Sequence, residues 1–122
     1  KNIHGADCKP KKSSLFSDSD RDKYVITQDE YYQYTLQTWQ IGPIGDHKYR
    51  HPARFPSELP HRLIKLFTYP QDIVIDCFCG SGTSCVEAKI LKRNYIGIDL
   101  NPAYCQMSKD RIAELDGKED AA

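Results

Sequence analysis

The sequence predicts an α/β fold with a parallel sheet, and the observations that predict it lie close together in the chain. An apolar, β-branched run at 73–75 is followed by an acidic residue, a glycine turn and a segment with helical spacing. A second apolar run at 95–98 again ends in an acidic residue. This order of strand, helix and strand is typical of parallel sheets, because parallel neighbours need a crossover connection.

The two acidic residues and the turn between them predict a cofactor site. Asp76 ends the first run, Gly80 and Gly82 form the turn, and Asp99 ends the second run. Glycines allow the backbone to approach a ligand closely, and the following helix offers free N–H groups to a carboxylate or phosphate. The second acid can accept hydrogen bonds from ribose hydroxyls, so the pattern indicates an adenosine cofactor.

The turn favours S-adenosylmethionine (SAM) over NAD or FAD. Cys85 stands where the dinucleotide fingerprint has its third glycine, and Asp76 would repel a pyrophosphate. The same carboxylate suits the ammonium group of SAM. Two alternatives stay open at this point: a nicotinamide or flavin cofactor, and a glycine turn that holds no ligand.

The remaining elements follow from local patterns. Residues 24–41 carry an aromatic band that periodicity assigns to neither a strand nor a short helix. Ser57 is predicted to cap a helix over 58–67, and a strand is expected at 72–77 and a helix at 83–92. The apolar face expected for the first of these helices consists of Leu59, Leu63, Ile64 and Phe67.

A last helix is expected to begin at the segment Asn101-Pro-Ala-Tyr104. Asn101 is a good N-cap residue, and Pro102 suits the first helical position, where no N–H is needed. Tyr104 then begins an apolar stripe along the helix.

Three motifs in order resemble the SAM-binding, C-terminal half of the β-group DNA amino-methyltransferases. H-P-A-R-F-P at 51–56 is similar to motif X, D-C-F-C-G-S-G-T at 76–83 to motif I, and G-I-D-L-N-P-A-Y at 97–104 to motif II. The departure at Cys77, where the family usually has proline, is mild. The resemblance covers roughly residues 39–115 and implies a partial Rossmann-like methyltransferase fold, with a parallel sheet flanked by helices.

The resemblance also implies a site and a substrate. The substrate would be the exocyclic amine of cytosine or adenine in double-stranded DNA, and SAM would be the cofactor. Separately from the resemblance, Lys48, Arg50 and Arg54 belong to a cluster of basic residues over 47–65, which indicates either DNA phosphate contacts or a solvated helix face. The implied cofactor-binding residues are His51, Pro52, Ala53, Phe55, Asp76, Cys77, Phe78, Gly80, Ser81, Gly82, Thr83, Asp99, Leu100 and Asn101.

The catalytic motif of that family, D-P-P-Y or S-P-P followed by an aromatic residue, does not occur in this sequence. We therefore expect no catalytic residue in this chain, no methyl transfer by the chain alone, and a catalytic region or partner chain elsewhere. The expected organisation is listed by range: a polar linker at 1–23, the end of a target-recognition region at 24–46, the SAM-binding lobe at 47–116 and a tail at 117–122.

Composition narrows the class of protein. The formal net charge is zero, which argues weakly against DNA binding by the chain as a whole. None of the five cysteines forms a C-x-x-C pair, so we expect no zinc site. We expect Cys77, Cys79, Cys85 and Cys105 to be reduced and packed in a cytoplasmic protein. No apolar stretch predicts a membrane span. The sequence leaves three rival functions open: a methyltransferase of RNA or a small molecule, an oxidoreductase fragment, and a DNA-binding module without activity.

Overall fold

The computed structural model describes residues 23–42 and 55–119 of the 122-residue chain. Its elements are listed in chain order: α1 (Gln28–Tyr34), α2 (Glu58–Phe67), β1 (Ile73–Asp76), α3 (Thr83–Ile90), β2 (Asn94–Gly97) and α4 (Pro102–Glu119). The strand, helix and strand predicted around the glycine turn are therefore present. The aromatic band, which the sequence left undecided, contains a helix.

The two strands form a parallel pair, as predicted. Val74 lies opposite Tyr95 in the register, and Ile75 lies opposite Ile96. Because side chains alternate between the two faces of a strand, Val74 and Tyr95 point to one face and the two isoleucines to the other. The α/β fold class with a parallel sheet is confirmed.

The hydrophobic core lies on the Val74 and Tyr95 face of the sheet. Ile64 from α2 packs there with Ala88 and Leu91 from the end of α3, and all three are buried. This face is covered because α3 is the crossover between the strands and α2 packs against α3. Helix α4 also packs against α3.

The opposite face of the sheet is uncovered in the described part of the chain. Four isoleucines are between 47% and 60% exposed there or at the adjoining strand end: Ile73, Ile75, Ile96 and Ile98. The expectation that helices flank the sheet therefore holds for one face of the described residues. We call this surface the open isoleucine face.

Helix α2 begins and ends where the sequence predicted, but its buried face differs. Ile64 and Lys65 are buried, whereas Leu63 and Phe67 are exposed, so the expected apolar face is wrong at these two positions. The physical reason is the lack of a described partner: the neighbours of α2 are α3 and α1, and they reach only its Ile64 side.

The start of α2 also corrects a prediction. Ser57 makes no side-chain capping hydrogen bond, and its φ of −60° and ψ of −27° are already helical. A capping side chain normally requires an extended backbone at this position, so the backbone itself begins the turn. The N–H of Leu59 donates to the carbonyl of Pro56 at 3.1 Å.

Helix α1 is fastened to α2 by an ion pair. Lys65 Nζ donates to Glu30 Oε1 at 2.6 Å, and the lysine is only 4% exposed. Glu30 also closes a capping box with Thr27. Burial by itself would raise the pKa of Glu30, but the hydrogen bonds from Lys65 and Thr27 hold that pKa below its usual value.

Arg93 joins three segments of the chain through hydrogen bonds. Its guanidinium donates to the carbonyls of Tyr24, Thr68 and Leu91, and the side chain is buried. Burial lowers the pKa of Arg93 to about 10. The residues just before α1 are thereby attached to the end of α2 and the start of β2.

The last two helices end differently from expectation. Helix α3 stops at Ile90, because Lys92 adopts a φ of 60° and the N–H of Arg93 donates to the carbonyl of Ala88 at 2.8 Å. Helix α4 continues to Glu119, which is past the tail boundary expected at 117. Within 23–42 and 55–119, no helix combines the length and apolarity that crossing a membrane would require.

Candidate functional site

The candidate site lies at the carboxyl ends of β1 and β2. Because the strands are parallel and adjacent, their ends meet at one edge of the sheet and bring Asp76 and Asp99 to the same place. The pairing continues past the strands: the N–H of Ile98 donates to the carbonyl of Asp76, and the N–H of Cys79 donates to the carbonyl of Ile98, each at 2.9 Å. Ligand sites of open α/β sheets form at this edge.

The glycine turn joins β1 to α3 and needs its glycines. Gly80 and Gly82 have φ values of 50° and 79°, a region that other residues rarely adopt. Space is equally restrictive, since a Cβ added to Gly82 would lie 2.0 Å from Ser108 Oγ. Gly82 is the residue from which α3 begins, so the first N–H groups of the helix point towards the turn.

Backbone N–H groups hold both carboxylates in place. Asp99 accepts from the N–H of Gly80 at 2.9 Å and from that of Asn101 at 2.8 Å. Asp76 accepts from the N–H of Phe78 at 3.0 Å. A carboxylate offers about four lone-pair positions, so both groups keep acceptor capacity for a ligand.

Asn101 begins α4 as the sequence predicted. Its Oδ1 accepts from the N–H of Ala103 at 3.0 Å, and Pro102 is the first residue of the helix. The Asn101-Pro-Ala-Tyr104 segment is thus a helix start. It is followed directly by Cys105, whose Sγ lies 3.5 Å from the carbonyl oxygen of Asp99.

Two apolar side chains that follow the acidic residues in the chain are largely exposed. Phe78 is 87% exposed and Leu100 is 99% exposed, and they closely follow the Asp76 and Asp99 ends of the strands in the chain. Apolar side chains exposed beside fixed polar groups are a typical feature of small-molecule sites.

The remaining residues of the turn are buried. Ser81 and Thr83 are buried, and both contact Arg111 of α4, which the sequence did not indicate. Arg111 lies 28 residues beyond Thr83, and no local pattern links the two positions. Arg111 lies on the same side of α4 as Ser108, one turn earlier. Its contact with the glycine turn depends on how α4 packs, which the sequence pattern does not show.

The cysteines of the motif divide into two environments. Cys79 and Cys85 are buried and their pKa values are raised, mainly by burial, to about 11 for Cys85. Their sulfurs pack against Gly97, where an added Cβ would lie 2.8 Å from Cys85 Sγ. Cys77 is exposed, so the expectation that it is packed is wrong. The turn after β1 directs it outward.

Several predicted site residues lie outside the described residues. They are His51, Pro52 and Ala53 of the motif X segment and the candidate DNA contacts Lys48, Arg50 and Arg54. Phe55, the fourth predicted contact of motif X, is the first described residue of its segment and is 40% exposed.

Comparison with known proteins places this arrangement in a class. A family model described as DNA methylase (N6_N4_Mtase) matches residues 7–110. The chain is 52% identical over 62 residues to the type II methyltransferase M.BglI of Bacillus subtilis, covering 51% of this chain and 18% of that protein. It is 36% identical over 112 residues to the type II methyltransferase M.MjaI of Methanocaldococcus jannaschii, covering 85% of this chain and 35% of that protein.

A solved structure of a related protein is also similar to this chain. A putative DNA modification methylase from Thermus thermophilus, crystallised with S-adenosyl-L-methionine, has a TM-score of 0.62 and 30% identity to this chain. The alignment covers 81% of this chain and 37% of that structure. The strand ends, glycine turn and paired acids therefore define a lobe of the methyltransferase type, and this chain belongs to the DNA methylase family. It corresponds to about a third or less of the length of these relatives.

Proposed function

We propose that this chain is the SAM-binding lobe of a DNA methyltransferase that modifies the exocyclic amine of cytosine or adenine. The observation that carries the proposal is the glycine turn set between Asp76 and Asp99 at the ends of adjacent parallel strands. Two anionic groups and a helix start suit a ligand that has an ammonium group, a carboxylate and a ribose diol. SAM supplies a methyl group activated by the sulfonium.

Each part of the site has a proposed role. Asp76 receives the ammonium group, and Asp99 receives the ribose hydroxyls. Thr83 and the N–H groups at the start of α3 receive the carboxylate, while Phe78 and Leu100 flank the adenine. Further proposed contacts are Cys77, Gly80, Ser81, Gly82 and Asn101, with His51, Pro52, Ala53 and Phe55 closing over the methionine end.

Little acid–base chemistry is required of this lobe. A methyl donor held in line with an amine nitrogen gains most of its rate from position, so rigid binding is the contribution of the chain. The N–H bonds to Asp76 and Asp99 support that role, because they fix both carboxylates before any ligand arrives.

The target base would be held by a region that carries the D/S-P-P-aromatic motif. The active enzyme would combine this lobe with such a region, or with a partner chain that provides it, and would act on double-stranded DNA. The open isoleucine face supports this, since an apolar face of a sheet is normally covered. The free thiols among the described cysteines fit the reducing cytoplasm of a bacterial, archaeal or phage-infected cell.

Calorimetric titration with SAM tests the cofactor assignment. Asp99→Asn removes the charge and leaves one side-chain oxygen for the two N–H groups of Gly80 and Asn101, and we expect affinity to fall by roughly tenfold or more, the size of one charge-assisted hydrogen bond. Asp72→Asn is the matched control, because Asp72 lies just before β1 at the opposite end of the strand and its side chain accepts only from the exposed Tyr69 N–H among the bonds described. Equal affinity of Asp99→Asn and wild type for SAM, or tighter binding of NAD by wild type, would refute the assignment.

A methyl-transfer assay tests whether a separate catalytic region is required. With tritiated SAM and mixed-sequence DNA, we expect no transfer by this chain alone and transfer once a region with the D/S-P-P-aromatic motif is added. Activity of the pure chain that is abolished by Tyr104→Ala would show instead that the Asn101–Tyr104 segment is catalytic.

A further inference from the structure

Arg111 connects α4 to the glycine turn at three oxygen atoms. Its Nη1 donates to the carbonyl of Ser81 at 2.6 Å, and it lies 3.2 Å from both Ser81 Oγ and Thr83 Oγ1. Both hydroxyl residues are buried, and the contact as a whole is partly buried, so it is partly shielded from water. Charge-assisted hydrogen bonds of this kind are among the stronger interactions that can hold a loop in one conformation.

The same side of α4 makes a second contact with the turn. Ser108, three residues before Arg111, occupies the space that a Cβ at Gly82 would need. Residues three apart lie one above the other on a helix, so the two side chains act from one surface. Together with the Asp99 bond to the Gly80 N–H, they fix every residue of the turn from Gly80 to Thr83.

The direction of the hydroxyl protons follows from the chemistry of arginine. A guanidinium only donates hydrogen bonds, so Ser81 Oγ and Thr83 Oγ1 must act as acceptors towards Arg111. Each hydroxyl proton is then left to point to another acceptor. Thr83 is the first residue of α3, where the free N–H groups also lie, so its proton joins a set of donors suited to an anion.

We infer that Arg111 is a positioning residue for the carboxylate end of the cofactor. It holds the turn in its bound shape, orients the Thr83 hydroxyl as a donor and adds positive charge behind the carboxylate. This inference rests on the proposed function, because it concerns the site assigned there to SAM. Arg111 acts through Thr83 and the turn and does not itself hold the ligand.

Two ligands separate this role from a general structural one. SAM carries the carboxylate, whereas 5′-methylthioadenosine keeps the adenosine and lacks the amino-acid part. We expect Arg111→Met to weaken SAM binding at least tenfold in calorimetry and to change methylthioadenosine binding less than twofold. Arg111→Lys should recover part of the SAM affinity, because it restores the charge but not the planar fork. Lys109→Met, an exposed cation of the same helix, is the control and should bind both ligands like wild type.

Coupling to Thr83 gives the second measurement. If Arg111 acts through the hydroxyl, Arg111→Met should reduce SAM affinity much less in a Thr83→Val background than in wild type. Equal losses in both backgrounds, or equal losses for SAM and methylthioadenosine, overturn the inference.

Hydrogen exchange of the ligand-free protein keeps the outcome separate from the proposed function. Arg111→Met should raise the exchange of the amides at 80–83, and Lys109→Met should not. If wild type binds no SAM, the proposed function fails and the carboxylate role of Arg111 fails with it. Unchanged exchange at 80–83 in Arg111→Met overturns the inference even where SAM binding is normal.

Discussion

The two faces of the sheet differ in how far they are covered in the described part of this protein. On one face, Val74 and Tyr95 pack against a core in which Leu91 is 2% exposed. On the other face, Ile73, Ile75 and Ile96 are about as apolar and are largely exposed. The strands therefore have the composition of a sheet that is buried on both sides, although one side is uncovered in the described residues.

The covered face is also the one that organises the site. Helix α3 lies on it, α4 packs on α3, and the turn between β1 and α3 is thereby fixed by side chains from α4. The turn of the proposed cofactor site is therefore held by side chains on the covered side, whereas the open isoleucine face has no cover among residues 23–42 and 55–119.

Truncating one residue on each face gives the largest expected difference. Leu91→Ala should lower the free energy of unfolding by about 2–5 kcal/mol, because it leaves a cavity in the core. Ile75→Ala should cost this chain well under half as much, since its side chain is already 60% exposed. Urea unfolding of both variants measures the difference.

The same pair of variants sharpens the comparison when a covering region is added. Ile75→Ala should then approach the cost of Leu91→Ala and should weaken the association. If Ile75→Ala is as harmful in the chain alone as Leu91→Ala, the open face is covered within this chain and the comparison is wrong.

Sequence reasoning anticipated the elements better than their surroundings. The start and end of α2 and the order of β1, α3 and β2 follow from local spacing, which needs only neighbouring residues. The exposure of Leu63 and Phe67 could not be predicted from local spacing. A 3.6-residue period identifies an apolar stripe on a helix but does not show whether another element covers that stripe. The cap at Ser57 failed for a related reason: residue type was right and the backbone angle was not.

Gly82→Ala breaks the turn on the covered side. The added Cβ would lie 2.6 Å from Ser108 Cβ, and the φ of 79° costs an ordinary residue about 1–2 kcal/mol by itself. We expect a loss of stability of at least that size together with loss of SAM binding. Thermal unfolding and calorimetry measure the two effects.

Gly42→Ala is the matched control for that variant. A Cβ at Gly42 would meet no described atom within 4 Å, so stability and SAM binding should both be unchanged. Adding Ser108→Gly to Gly82→Ala should restore part of the stability, because it removes the clash but not the strain. No recovery in the double variant would mean that α4 does not set the shape of the turn.

Only part of the candidate cofactor site could be predicted from the sequence. Asp76, Asp99 and the two turn glycines follow from the strand-end rule, since parallel strands bring their carboxyl ends together. Arg111 could not be found in this way. Its partners are 28 to 30 residues away, and only the packing of α4 on α3 brings them within hydrogen-bond distance.

Glu30 tests how firmly α1 is attached to the covered side. Because its folded pKa lies below the usual 4.5, the pair with Lys65 contributes stability that is complete above pH 4.5 and is lost as the pH falls through the lower folded value. Glu30→Gln should cost about 1 kcal/mol near neutral pH and flatten the acid dependence. Urea midpoints across this pH range are the measurement.

Glu58→Gln controls for the loss of a surface charge. Glu58 pairs with Arg62 one turn along α2 at an exposed position, and such pairs contribute about 0.5 kcal/mol or less. An acid dependence that Glu58→Gln flattens as much as Glu30→Gln would show that the buried pair is not its source.

Thiol labelling distinguishes exposed from covered positions without changing stability, and it has the smallest expected effect on the protein. At pH 8, iodoacetamide should modify Cys77 and leave Cys85 unmodified, because Cys85 is buried and its raised pKa of about 11 keeps roughly one thiol in a thousand ionised. Peptide mapping by mass spectrometry assigns the labels.

If Cys77 belongs to the proposed cofactor site, saturating SAM should slow its labelling. Methylation of the exposed Lys109 by a lysine reagent should stay unchanged, which controls for general protection. Modification of Cys85 as fast as that of Cys77 would contradict the packing around Gly97, and Cys77 labelling that is indifferent to SAM would remove that residue from the site.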